Sequence, residues 1–120
     1  MITVKEIIWL DKDSREGNVI LSDGKYCVEC FCSDCELSVG DSFFDIIYGF
    51  DVTNFYRSFD KESKIVKTKD GYYIKGKLVD RKNGILQLGE FRFDLTDGDI
   101  PKDIKENEFV EANLSRIDIY

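Results

Sequence analysis

Histidine is absent from this 120-residue chain. Its absence removes the side chain most often used as a general base, and with it the usual hydrolase triads. It also removes the common partner of cysteine in zinc sites. Long apolar runs are missing too. The longest is Ile7-Ile8-Trp9-Leu10, against the ~18 residues a membrane span needs, so no membrane partner is expected. The opening residues, Met1-Ile2-Thr3-Val4-Lys5-Glu6, carry neither a basic leader nor an apolar stretch. No secretory signal is read there, and the expected compartment is the reducing cytoplasm, where structural disulfides are uncommon. No glycine loop suited to phosphate appears, because Gly71 and Gly76 are followed by neither a third glycine nor a Gly-Lys-Ser/Thr arrangement. Helical periodicity is absent over any window of ~11 residues. Only residues 101–107, opened by the single proline Pro101, read as a helical turn.

What is present is β-type. Hydrophobic residues make up 42% of the chain and aromatics 13%, enough for one packed domain over residues 1–120. Asp23-Gly24, Asp70-Gly71 and Asn83-Gly84 lie between β-branched and aromatic runs, the strongest short-range hairpin signal. Gly49 and Gly89 interrupt strand patterns and suggest a bend or bulge. Residues 109–120 read as a closing strand with a phase shift between Leu114 and Ile117. The expected fold is all-β, a small barrel of six or seven strands whose architecture resembles OB-like or SH3-like barrels. That resemblance rests on the short strands, the tight hairpins and a loop ending in Gly40-Asp41 before a strand.

Residues 43–59 hold the densest aromatic run. Its even positions Phe44, Ile46, Tyr48, Phe50 and Val52 alternate with mostly polar or small residues, which predicts one strand with the even set in the core. Base stacking on that stripe is the alternative.

The chain also resembles itself. Trp9-Leu10-Asp11 lies over Leu78-Val79-Asp80, Gly17 over Gly84, and Gly24-Lys25-Tyr26 over Gly89-Glu90-Phe91. Residues 1–58 and 65–120 then read as an internal repeat, two similar three-stranded halves closing one barrel.

Net charge is −7 and uneven. Residues 57–82 carry nine cations (Arg57, Lys61, Lys64, Lys67, Lys69, Lys75, Lys77, Arg81, Lys82) against Asp60, Glu62, Asp70 and Asp80, a balance of +5 that leaves −12 elsewhere. An acidic chain is a poor general ligand for phosphate backbones. A basic strip beside Tyr56, Tyr72 or Tyr73 nevertheless keeps a nucleic-acid-binding barrel as one alternative.

All four cysteines fall within residues 27–35, spaced Cys-x2-Cys-x-Cys-x2-Cys. Three readings compete. As packing, the alternate residues Val28, Cys30 and Cys32 face one way on a strand and fill the core as small hydrophobes. As a metal site, an extended segment would hold Cys27 about 26 Å from Cys35, whereas zinc needs its sulfurs within ~4 Å of one another. Only Cys30, Cys32 and Cys35 could meet, around a Ser33-Asp34 turn, with zinc as the metal. As a dithiol catalyst, neither Cys-x-x-Cys opens a helix, and Glu29, Asp34 and Glu36 favour the neutral thiol. Packing leads, metal follows, and redox chemistry comes last.

No residue is assigned a catalytic role and no cofactor is expected. Asp41, Asp45, Asp51, Asp94, Asp97 and Asp99 are too ordinary in so acidic a chain to mark a carboxylate pair. The leading expectation is a small cytosolic, non-enzymatic module that binds another protein, its acidity suited to a basic partner. A nucleic-acid-binding barrel using residues 57–82 and a metal-binding protein using residues 27–35 are the alternatives. Oligomeric state is not legible in the sequence.

Overall fold

The computed structural model describes residues 1–119. Among the described residues the chain is all-β, 55% strand with no helix. Twelve strands follow in order: β1 Ile2–Asp11, β2 Glu16–Ser22, β3 Cys27–Cys32, β4 Ser42–Phe43, β5 Ile47–Phe50 and β6 Thr53–Arg57. Then come β7 Lys64–Thr68, β8 Gly71–Asp80, β9 Ile85–Leu88, β10 Phe91–Asp94, β11 Phe109–Leu114 and β12 Arg116–Asp118. With no helix in it, the described chain contains no helix long and apolar enough to cross a membrane.

The strands pair in the order β4-β1-β2-β3-β12-β5-β10-β9-β8-β11-β6, with β7 added on β8. Two antiparallel meanders, β1–β2–β3 and β8–β9–β10, form the bulk of this path. Each continues into a short strand running parallel to its last member: β12 beside β3 and β5 beside β10. Those two short strands pair antiparallel with each other and join the halves. The path begins at β4 and ends at β6, so the sheet is open and not a closed six- or seven-stranded barrel.

The turns follow local chemistry. The side chain of Asp11 accepts the amides of Asp13 and Ser14 in the β1–β2 turn. Asp80 accepts the amide of Asn83 in the β8–β9 turn. Asp23 accepts those of Lys25 and Tyr26 in the β2–β3 turn. These are Asx-type turns, in which a short carboxylate satisfies amides that the ladder leaves free. Asp23 also takes the amide of Glu90 at 3.0 Å, tying the tips of the two meanders together. The hydrogen bonds to Tyr26, Glu90 and Lys25 hold its carboxyl below the ordinary value despite partial burial.

One apolar core runs through both halves, with Val19, Leu21, Val28, Ile47, Ile74, Leu86, Phe91, Phe93 and Ile119 all inside it. Every buried side-chain nitrogen or oxygen among the described residues has a hydrogen-bond partner.

Several expectations are corrected. Residues 43–59 form three strands, not one, separated at Asp45 and Asp51; Asp51 takes a left-handed φ of 53°. The aromatic phase is inverted: Phe43 and Ile47 are buried, while Phe44 is 82% exposed and Tyr48 and Phe50 also face outward. Pairing sets this phase, because Phe43 sits opposite the buried Ile2 and Ile47 opposite the buried Phe93. Gly89 is not a bulge but half of a two-residue hairpin turn, since Leu88 pairs directly with Phe91. Residues 101–107 make two reverse turns, closed by Ile104 N–H to Pro101 C=O and Glu108 N–H to Lys105 C=O, in place of a helical turn. Residues 109–120 are two strands broken at Ser115, and position 120 lies outside the described residues.

Gly71, the first residue of β8, has φ +148°, and a Cβ there would stand 1.9 Å from the Leu114 carbonyl oxygen. Gly24 has φ +95° but open space around it. Gly71→Ala is therefore expected to cost roughly 2–4 kcal/mol from combined strain and overpacking, and Gly24→Ala about 1 kcal/mol from strain alone. Denaturant midpoints of the two variants measured side by side check the ranking; equal midpoints would contradict it.

Candidate functional site

The cysteine segment lies on β3, between β2 and β12. Cys30 and Cys32 point into the core with Val28, and Cys27 at the strand's first residue is exposed. The chain then turns at Ser33-Asp34, where Asp34 takes φ 49°, and Cys35 is buried just beyond. Arg15 fixes this turn from both sides: its backbone C=O accepts the Cys35 amide and its Nε donates to the Cys35 carbonyl.

Cys32 and Cys35 meet thiol to thiol across the turn, while Cys30 remains one pleat back on the strand. The turn thus brings together two of the three cysteines named for a metal site. No group of three or more Cys, Asp or Glu side chains among the described residues is placed to hold a metal ion. Burial pushes the Cys30 thiol well up, with the Asp118 carboxylate adding to it. Burial first, and the Cys35 contact second, push Cys32 up to about 12. A neutral, water-excluded thiol is neither nucleophile nor ligand, so this arrangement suits packing.

The exposed surface offers more. Leu37, Ser38 and Val39, on the loop after the cysteine turn, face Ile7 and Trp9 of β1 across a groove that also touches Lys12, Asp13 and Arg15. Leu37 is shared with an adjoining depression edged by Ser33, Asp34 and Glu36. The groove floor is apolar, and its own rim carries Lys12 and Arg15 beside Asp13, with Asp34 and Glu36 added by the adjoining depression. The loop is held in place: Gly40 N–H donates to the Val4 carbonyl, Val4 N–H to the Asp41 carbonyl, and Ser38 N–H to the Asp41 carboxylate. Arg15 lies 5.0 Å over the Trp9 ring and so serves the groove's geometry as much as its charge. The exposed Leu10 and Val39 stand at this end of the molecule.

The basic stretch falls on β6, β7 and β8 and the loops around them. Across β6–β11–β8–β7, Tyr56, Glu111, Lys75 and Lys64 form one outward row, with Asn113, Tyr73 and Val66 in the next. Tyr56 and Tyr73 thus share the outer face. Tyr72 does not, since its hydroxyl reaches the Glu29 carbonyl at 3.1 Å. Much of the positive charge is spent internally. Arg57 pairs with Glu108 and Asp103, Lys67 with Glu29, and Lys75 with Asp60 at 2.6 Å. Arg81 donates to the Ile104 and Pro101 carbonyls. Lys61, Lys64, Lys69, Lys77 and Lys82 make no ion pair among the described residues.

Sequence reasoning did not single out Trp9, Leu37 and Val39. The available signal was the short segment Cys35-Glu36-Leu37-Ser38-Val39, whose isolated apolar residues sit in a loop with no strand to bury them. Comparisons with protein-family models, with curated proteins and with solved structures find no match for this chain.

Native protein should expose one thiol, Cys27, to a disulfide-exchange reagent, and four after unfolding; several fast-reacting native thiols would contradict this burial. The raised thiols also set a pH dependence. Unfolded cysteine ionises near about 8.5, so above that pH the unfolded state binds fewer protons than the folded one. Stability is then present in full below about pH 8.5 and lost between there and about 12. Tyr72 and Tyr73, both raised to about 12 mainly by burial, steepen the upper part of this fall. Denaturation midpoints measured from pH 8 to 11 should decline, and less steeply in Cys32→Ala.

Proposed function

We propose that the chain is a non-enzymatic protein-interaction module whose Trp9 groove, set in the acidic first half of the chain, takes a basic segment of a partner. The observation that carries this reading is the partly open apolar floor of Trp9, Ile7 and Leu37, with Asp13, Asp34 and Glu36 around it against Lys12 and Arg15. Apolar residues grouped in a groove and edged by charged side chains are the ordinary form of a docking site. Val39, 65% exposed, supplies an edge that contact would cover. Residues 1–56 hold four cations and eleven carboxylates, a field that would draw in a basic partner and speed its encounter.

We also read the two halves as a duplicated unit sharing one core. Support comes from the matching order of the meanders on either side of β5–β12. Asp11 and Asp80 act alike in the first turn of each meander. Arg15 and Arg81, just after those positions, each donate to a carbonyl of the loop that follows its meander.

Trp9 is the single tryptophan and lies in the groove, so its fluorescence reports occupancy. Peptides selected from a random display library against this protein should carry net positive charge with an apolar anchor, and should change that fluorescence. Val39→Asp and Glu36→Lys should each weaken binding about tenfold, equivalent to about 1.4 kcal/mol. Selected peptides without positive charge, or with unaltered affinity for both variants, would sink the proposal.

A further inference from the structure

A second groove lies on a different part of the sheet, between the end of β6 and the start of β11. Phe59 and Phe109 are its apolar walls, and Arg57, Lys61 and Lys77 its cations, with Glu108 the single carboxylate. Its balance is +2 in a chain whose net charge is −7. Phe59 is 98% exposed, the most exposed large apolar side chain among the described residues.

The charges within the groove divide into fixed and free. Arg57 binds Glu108 through Nε at 3.2 Å and donates to the Asp103 carbonyl at 2.7 Å. Glu108 in turn accepts the Lys105 amide, and that bond with the Arg57 contact holds its carboxyl below the ordinary value. This cluster is a self-satisfied wall. Lys61 and Lys77 have no such commitment and flank the two phenylalanines. Phe109 is directly paired with Lys77 across β11 and β8, and Ser58 N–H donates to the Phe109 carbonyl, so these groups are held by the sheet.

We propose that this groove docks an acidic peptide segment of a partner protein, with an aromatic or aliphatic anchor seated between Phe59 and Phe109 and carboxylates on Lys61 and Lys77. Charge complementarity selects this occupant. Two free cations around an apolar slot match a short acidic segment with one anchor. A polynucleotide would need a longer row of unpaired cations, and the remaining charge of the chain would oppose it. The protein then carries two docking surfaces with no lining residue in common.

The test is fluorescence anisotropy with a short labelled peptide rich in Glu and carrying one Phe, beside a labelled oligothymidylate of similar length. The intact protein should bind the peptide at low salt. Phe59→Ser and the double variant Lys61→Glu/Lys77→Glu should each weaken it about tenfold or more. All three positions are outside the apolar core, and unchanged thermal midpoints would confirm that the variants fold. Val39→Asp should leave peptide affinity unaltered, which separates failure here from failure of the Trp9 groove. Absent binding, or equal binding by the double variant, would overturn the assignment. Tighter binding of the oligonucleotide, abolished by the same substitutions, would replace the peptide with nucleic acid. Self-association in sedimentation, lost in the double variant, would instead give the groove to a second copy of this chain.

Discussion

The antiparallel seam between β5 and β12 holds the two halves in one sheet, through the pairs Arg116 with Phe50, Ile117 with Gly49 and Asp118 with Tyr48. Half of a 120-residue chain makes a poor independent core, so each meander needs the other's apolar face. The seam is short, and three features protect it. Gly49 has no side chain where a Cβ would press to 3.1 Å on the methyls of Leu114 and Leu95. The Asp118 side chain is only 10% exposed, and Arg116 satisfies both of its oxygens at 2.7 Å. The same guanidinium lies 5.1 Å over Phe31 of β3 and 5.9 Å over Phe50 of β5. Arg116 therefore touches both neighbours of its own strand. Arg116 and Asp118 lie on one face of β12, so slipping the register by one residue would turn this ion pair toward the core and Ile117 toward solvent, and the pair contributes specificity of alignment more than net energy.

The sequence showed the class and the turns because those depend on local chemistry. Asp23-Gly24, Asp70-Gly71 and Asn83-Gly84 each end or begin a strand where the pattern places them. Strand count and phase depend instead on which partner lies alongside, and residues 43–59 illustrate this. Asp45, Gly49 and Asp51 made the odd positions look like the solvent side. Asp45 and Asp51 lie in the breaks between strands, and Gly49 is buried because Ile117 and two leucines close over it. The parallel contacts of β5 and β12 join residues far apart in the chain, and no local pattern encodes them.

The cysteine segment shows how density of reactive residues and chemistry separate. On a central strand, alternate residues are consigned to the core whatever their type. Cys30 and Cys32 share that fate with Val28 and lose the ionisation on which metal binding and redox work depend. The segment still shapes the surface, in a different way. Its turn, clamped by Arg15, launches the loop that carries Leu37 and Val39 to the surface, so the buried thiols support a groove that they do not enter.

With the interior filled by apolar groups and its polar atoms satisfied among the described residues, the open grooves lie on loops and outer faces. The two proposed surfaces differ in origin. The first is built on β1 and the loop after β3, parts of the first meander and its exit. The second draws Arg57, Phe59 and Lys61 from β6 and the chain leading into β7, which belong to neither meander, and Lys77 from β8 of the second. If the halves are duplicates, with β1–β5 answering to β8–β12, then β6, β7 and the loop between them have no counterpart. Arg57, Lys61, Lys64 and Lys67 lie in that segment, Lys69 just beyond it, and Lys75, Lys77, Arg81 and Lys82 on β8 and the turn after it. An added segment would then supply four of the strip's nine cations, with β8 and its turn carrying another four.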